Sequence, residues 1–120
     1  MFKFLNQVFQ SYKNAFRGLS VLFAERNAKI ELSWWLFLQV VNLLTIRRID
    51  TAVVTTILII GMLAAEGFNT AIEQTNNALN KENETIRKAK DVAATATMLV
   101  SLIVIFVTSG MLLNMVGIIK

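Results

Sequence analysis

Three stretches without a charged side chain constrain the fold of this chain more than any other feature. They are residues 32–46, 51–65 and 92–119. At ~1.5 Å per residue each of the first two covers only ~22 Å, so flanking side chains such as Glu31, Arg47 and Arg48 must reach the interfaces of a ~30 Å hydrocarbon core. The third is long enough to cross with some tilt. The sequence therefore predicts an all-α membrane protein with spanning helices at residues 30–47, 51–79 and 91–119, of which the second includes a cytoplasmic extension.

Composition supports this class and narrows the chemistry. Apolar residues make up 55% of the 120 residues, and proline, cysteine and histidine are absent. That apolar share exceeds the share of a typical soluble domain, and residues 1–120 suffice for one domain. Disulfides, thiolate metal sites, His-dependent triads and His-ligated zinc are excluded. The net charge of +4 suits an anionic membrane surface or a polyphosphate ligand, and no nucleic-acid partner is expected.

Residues 1–29 predict an amphipathic helix that lies in the membrane interface. Apolar side chains recur at every third or fourth position from Phe2 to Leu22, while polar side chains occupy much of the opposite face. A core-facing helix of a soluble protein is the alternative, which the apolar stretches that follow disfavour. Nine of the twelve lysines and arginines lie in this segment or in the loop predicted at residues 80–90. Both segments are therefore predicted to be cytoplasmic.

Two carboxylates and an amide interrupt the second predicted span. Glu66, Asn69 and Glu73 follow an i, i+3, i+7 spacing and share one helical face, with the carboxylates ~10 Å apart along the axis. A charge at membrane depth is costly, so its presence indicates a function, and lost hydration makes Glu66 a better proton acceptor. The alternative is that Glu66 and Glu73 mark the cytoplasmic helix end and pair with Arg87 or Lys90.

These residues also carry a resemblance to a known family. Residues 65–73 (Ala-Glu-Gly-Phe-Asn-Thr-Ala-Ile-Glu) and 89–94 (Ala-Lys-Asp-Val-Ala-Ala) resemble the signature of the prokaryotic diacylglycerol kinase and undecaprenol kinase family. Residues 16–19 (Phe-Arg-Gly-Leu) and 25–27 (Glu-Arg-Asn) are similar to the amino-terminal segment of that family, in the same order. The resemblance covers nearly the whole chain, and the combination of both signature segments is specific.

The resemblance implies a homotrimer of three-span protomers in the bacterial inner membrane, with active sites between subunits at the cytoplasmic interface. It implies phosphorylation of a lipid alcohol, diacylglycerol or undecaprenol, by ATP with Mg²⁺. Glu66 is implied as the general base, and Glu25 and Glu73 as ligands of the metal that bridges the ATP phosphates. Asn69 is implied to contact both the lipid and the nucleotide. The implied ATP site comprises Glu25, Asn69, Glu73, Glu82, Lys90 and Asp91.

The chemistry of these residue types agrees with such roles. Mg²⁺ binds carboxylate oxygens together with substrate phosphates, and a lysine supplies positive charge where phosphoryl transfer develops negative charge. Five scattered glycines cannot form a phosphate-cradling loop, so ATP must be held by charges and metal. The alternative for Lys90 is an anchor at the headgroups, with Asp91 as the N-cap of the third span.

One spacing departs from the family pattern. Six residues separate Gly18 from Glu25, one fewer than the pattern has. Since one deletion rotates a helix by ~100°, either the connector is not helical there or Glu25 enters the site differently.

Two further functions compete with a lipid kinase. The first is a small transporter or membrane-assembly protein in which Glu66 and Glu73 bind protons or cations, and the second is an inactive relative of the kinase. A transporter typically carries polar residues through the depth of several spans, whereas these acids cluster at one end beside a basic loop. That distribution favours chemistry at the interface.

Overall fold

In the part of the chain that the structure describes, the fold consists of four helices. The computed structural model describes residues 1–79 and 83–120, and within these ranges it contains no strand. The helices are α1 (Phe2–Ala24), α2 (Arg26–Leu44), α3 (Ile49–Leu79) and α4 (Glu84–Met115). The predicted all-α class is confirmed.

α3 and α4 are long and apolar enough to cross a membrane. They pack against each other, and α2 packs mainly on α3. Large apolar side chains on α3 and α4 point away from this bundle; Phe106, for example, is 82% exposed and Ile57 is 62% exposed. Contiguous exposed apolar surface of this kind is unfavourable in water and favourable against lipid. The chain is an integral membrane protein.

α2 differs from the other two helices of the bundle. It has 19 residues, and Arg26, Lys29 and Glu31 lie in its first two turns. Only the part after Glu31 is free of charge, which gives α2 a polar beginning and an apolar remainder.

The boundary between α1 and α2 falls at Glu25. The predicted surface helix ended at residue 29, but Glu25 has an extended backbone (φ −70°, ψ 140°), and residues 26–29 already belong to α2. The six residues between Gly18 and Glu25 all belong to α1, so the chain leaves the helix only at Glu25 itself. α1 itself has no buried residue, and its end approaches α3, where a methyl group added to Gly67 would lie 3.8 Å from Leu22 Cδ2.

α4 begins at Glu84, within the stretch that the sequence predicted as loop. Asn83 caps it, since Asn83 Oδ1 accepts a hydrogen bond of 2.9 Å from the backbone N–H of Ile86. Lys90 and Asp91 consequently lie inside the helix. The alternative that Asp91 caps the third span is wrong, because the cap is formed at Asn83.

A set of hydrogen bonds across the helices, here named the polar seam, fixes how α2, α3 and α4 pack. Gln39 Nε2 donates to Thr55 Oγ1 at 2.9 Å. The two indole N–H groups also donate into the bundle: Trp35 to Thr56 Oγ1 at 2.9 Å and Trp34 to Thr108 Oγ1 at 3.1 Å. Interhelical hydrogen bonds of this type stabilise helix pairs in membranes, where apolar contact alone discriminates little. The members of the polar seam are Trp34, Trp35, Gln39, Thr55, Thr56 and Thr108.

Candidate active site

Glu66 lies at the end of the bundle that α1 approaches, and it is only 4% exposed. Asn27, in the first turn of α2, donates a hydrogen bond from Nδ2 to Glu66 Oε1 at 3.2 Å. The second oxygen, Oε2, is buried and has no hydrogen-bond partner among the described residues. A buried acceptor without a donor costs about 1–3 kcal/mol. The Oε2 atom of Glu66 is therefore suited to accept a hydrogen bond from a bound ligand that carries a donor group.

Glu31 is a second buried carboxylate at the same place, also 4% exposed. It follows Asn27 by one helical turn on α2, and it lies close enough to Glu66 for their charges to interact. Its Oε2 is likewise buried without a partner within the described part of the chain. The sequence analysis missed this residue because it treated Glu31 as a flanking side chain of the first span. The rule that drew attention to Glu66, a charge beside an apolar run, applies equally to Glu31.

No cation neutralises this carboxylate pair within residues 1–79 and 83–120. The ion pairs found there join Arg48 to Asp50 and Lys88 to Glu84, and both are exposed. Burying two like charges together is expensive, and such pairs are characteristic of sites that handle protons, cations or charged ligands. Glu31 and Glu66 are therefore the chemically most distinctive feature of the described structure.

Asn69 and Glu73 continue the face of α3 that carries Glu66. The helix is uninterrupted from Ile49 to Leu79, so the spacing places all three on one side. Burial falls along this face: Asn69 is half-buried, with an Oδ1 that lacks a partner among the described residues, and Glu73 is exposed. Glu73 takes part in none of the ion pairs found in the described ranges. The alternative hypothesis from the sequence, that Glu73 pairs with Arg87 or Lys90, is therefore not supported there.

A groove between α3 and α4 opens beside Asn69. Its volume is about 620 Å³, and its lining is mostly apolar, with Asn69 and Lys88 as the polar contributors. Ala65, Phe68, Ile72 and Val92 supply much of the apolar wall. The groove therefore offers an apolar surface on which a hydrocarbon chain can pack, and this surface ends next to Asn69 and Lys88.

The other residues singled out from the sequence lie around this end of the molecule. Glu25 is half-buried at the junction of α1 and α2, Lys90 is half-buried on α4, and Asp91 is exposed. No side-chain hydrogen bond or ion pair among the described residues joins these three to Glu66 or to one another. Glu82 lies outside the described residues. Asn76, two turns beyond Asn69, also has a buried amide nitrogen without a described partner, which the sequence analysis did not anticipate.

The carboxylates fit an open metal site better than a closed one. The described residues contain no cluster of three or more potential Asp, Glu, His or Cys ligands. Glu25 and Glu73 are single carboxylates with access to solvent, and Mg²⁺ is commonly held by one or two carboxylates plus phosphate oxygens and water. This donor set suits a metal that arrives with a polyphosphate.

Fold and site together define a helical membrane protein with buried carboxylates at one end of its bundle. The family model described as prokaryotic diacylglycerol kinase matches residues 13–112. The chain therefore belongs to the prokaryotic diacylglycerol kinase family, which confirms the resemblance seen in the sequence. No curated protein and no solved structure matches the chain. Family membership suggests a lipid kinase, which would bind a lipid and ATP together with a divalent metal.

Proposed function

We propose that the protein transfers the γ-phosphoryl group of ATP to the hydroxyl group of diacylglycerol or undecaprenol, with Mg²⁺, at the cytoplasmic face of the membrane. One observation carries the proposal beyond family membership: Glu66 is buried, its Oε1 is held by Asn27, and its Oε2 has no donor among the described residues. A lipid hydroxyl is a donor that fits this oxygen. The same contact makes Glu66 the proton acceptor in the reaction.

The proposed step is an in-line displacement at phosphorus. The hydroxyl proton moves to Glu66 Oε2 as the alcohol oxygen forms its bond to the γ-phosphorus. The bond between the γ-phosphorus and the β–γ bridging oxygen breaks, and ADP leaves with that electron pair. Glu66 then returns the proton to solvent.

The nucleotide site is proposed on the more exposed part of the same end. Glu25 and Glu73 would hold Mg²⁺, which neutralises phosphate charge when bound. Asn69, Lys90 and Asp91 are proposed to contact the nucleotide, and Asn69 also the lipid. Glu82 is proposed as a further contact on the strength of the family resemblance alone.

The proposed membrane arrangement has α2 as a third span beside α3 and α4. Its 19 residues measure ~28 Å at ~1.5 Å per residue, close to the thickness of the hydrocarbon core. α1 would lie on the cytoplasmic surface of the bacterial inner membrane, as the distribution of basic residues indicates. The resemblance supports a homotrimer, and the scarcity of donors around Glu66 within one described chain is consistent with a site completed by a neighbouring subunit.

A second candidate function rests on the Glu31–Glu66 pair. Two buried carboxylates side by side can bind a proton or a cation, as a small transporter would require. Both lie at one end of the bundle, whereas the polar seam nearer the α2–α3 turn consists of neutral side chains that are hydrogen-bonded to one another. This distribution, with the family match, favours the kinase over the transporter and over an inactive relative.

The deciding experiment compares the two lipids directly. Purified full-length protein in mixed micelles receives γ-labelled ATP and Mg²⁺ with either diacylglycerol or undecaprenol, and a parallel reaction contains a chelator. We expect metal-dependent label in one or both lipids, and the preferred lipid identifies the substrate. A thermal-unfolding transition serves to show that the purified protein is folded. If folded protein labels neither lipid, the proposal is contradicted. Proton or cation uptake by proteoliposomes in that case would support the transporter.

A further inference from the structure

We propose that Asn27 is the positioning residue for Glu66, a role that rests on the proposed function of Glu66 as the base. Its side-chain amide holds one carboxylate oxygen and thereby directs the other toward the lipid hydroxyl. The contact joins residues 39 positions apart in the chain, from the start of α2 to the middle of α3.

The geometry gives the two oxygens of Glu66 different environments. Oε1 accepts from Asn27 Nδ2 at 3.2 Å, while Oε2 is buried without a described partner. A free carboxylate rotates and presents either oxygen, whereas one that is held at Oε1 presents only Oε2. Misplacement of a reacting group by about 1 Å costs roughly 10²-fold in rate, so a fixed orientation is worth a substantial factor.

Glu31 is a buried carboxylate at the same place that lacks a contact of this kind. It is as buried as Glu66, it lies one turn beyond Asn27 on the same helix, and no side-chain donor among the described residues contacts it. Asn27 therefore distinguishes the two acids, because it holds Glu66 and leaves Glu31 unheld.

The chemistry of an amide suits this role. A lysine or arginine at position 27 would also hold Glu66, but it would form an ion pair and make the carboxylate a poorer proton acceptor. The neutral amide donates a hydrogen bond without adding a charge. Its position is set by the chain itself, because Asn27 is the second residue of α2, which begins directly after the non-helical residue Glu25.

Steady-state kinetics of Asn27 variants test the role. Asn27→Ala is expected to lower kcat by roughly 10- to 100-fold while the KM for ATP changes less than about twofold, since orientation matters in the transition state. Asn27→Asp presents an acceptor to Glu66 and should lose more. Asn27→Gln retains an amide donor and should recover part of the rate. Asn6→Ala, which removes the same amide from an exposed position of α1, should keep the wild-type kcat.

A thermal-unfolding cycle reports on the contact without any need for activity. Asn27→Ala should lower Tm by a few degrees when Glu66 is present and have little effect in a Glu66→Ala background, because partners in contact are not additive. A wild-type kcat in Asn27→Ala overturns the positioning role, whatever the melting result. Additive Tm shifts overturn the contact. Coupled shifts in a protein that labels neither lipid would support the contact and contradict the proposed reaction.

Discussion

Replacement of Glu66 by glutamine tests the proposed catalytic base while it leaves the surrounding structure nearly unchanged. Glutamine has nearly the same shape and keeps an oxygen that accepts the 3.2 Å hydrogen bond from Asn27. The other oxygen becomes an NH₂ group at the atom that has no described partner. Because no described hydrogen bond is lost and a buried charge is removed, Glu66→Gln should fold and assemble at least as well as the wild type.

The expected cost falls on the rate. General base catalysis by a positioned group contributes roughly 10²- to 10⁴-fold, which corresponds to about 3–5 kcal/mol in the transition state. The hydrogen bond between Glu66 and the lipid hydroxyl is proposed to strengthen as the proton moves. The kcat of Glu66→Gln should therefore fall by this factor, while its KM for the lipid should change by no more than about threefold. Initial rates with γ-labelled ATP in mixed micelles measure both constants.

Asp50→Asn provides the matched control. Asp50 is an acid on the same helix, but it lies at the opposite end, exposed, in an ion pair with Arg48. Exposed ion pairs contribute about 0–1 kcal/mol, so this variant should keep wild-type kinetics and nearly wild-type Tm. A wild-type kcat in Glu66→Gln would refute the proposed base. A large loss of Tm in Glu66→Gln would instead show that the carboxylate is needed for the fold.

Three further predictions follow from other parts of the structure. Glu31→Gln removes one of two interacting buried carboxylates and should raise Tm by a few degrees (~1 kcal/mol), as followed by tryptophan fluorescence; a lowered Tm would contradict the unfavourable pairing. Gln39→Leu breaks the 2.9 Å bond to Thr55 and should cost about 1 kcal/mol of stability with an unchanged KM for ATP, whereas the exposed Val40→Leu should leave Tm unaltered. Glu73→Gln should raise the Mg²⁺ concentration for half-maximal rate at least about fivefold without lowering Tm, and an unchanged Mg²⁺ requirement would remove Glu73 from the metal site.

The helical class could be predicted from the sequence because uncharged runs and the spacing of apolar residues depend on each segment alone. The residues at which the helices begin and end were harder to predict. The apolar periodicity of α1 runs on toward the next segment, and no proline or glycine marks the break at Glu25. At the start of α4, Asp91 stands directly before the apolar run and looked like a cap, although the helix continues for two turns before it, from Asn83.

The candidate site was predicted only where it lies on one helix. Glu66, Asn69 and Glu73 share a face of α3, and a spacing of three and seven residues suffices to infer that. Asn27 and Glu31 belong to α2, and they reach the site because α2 crosses α3 in a particular register. The polar seam sets that register through contacts such as Gln39 to Thr55 and Trp35 to Thr56, which no periodicity within a single helix encodes.

The fall in burial along one face of α3 connects this structure to the proposed reaction. Glu66 is 4% exposed, Asn69 is half-buried and Glu73 is exposed, over ~10 Å of a single uninterrupted helix. The proposed reaction places the hydroxyl of the lipid alcohol beside the buried Glu66 and the metal-bound nucleotide beside the exposed Glu73. Because α3 is uninterrupted from Ile49 to Leu79, it holds Glu66 and Glu73 at a constant separation. In the proposed reaction this fixed separation lets the lipid stay in the membrane and the nucleotide stay in water while the hydroxyl and the γ-phosphoryl group meet between the two carboxylates.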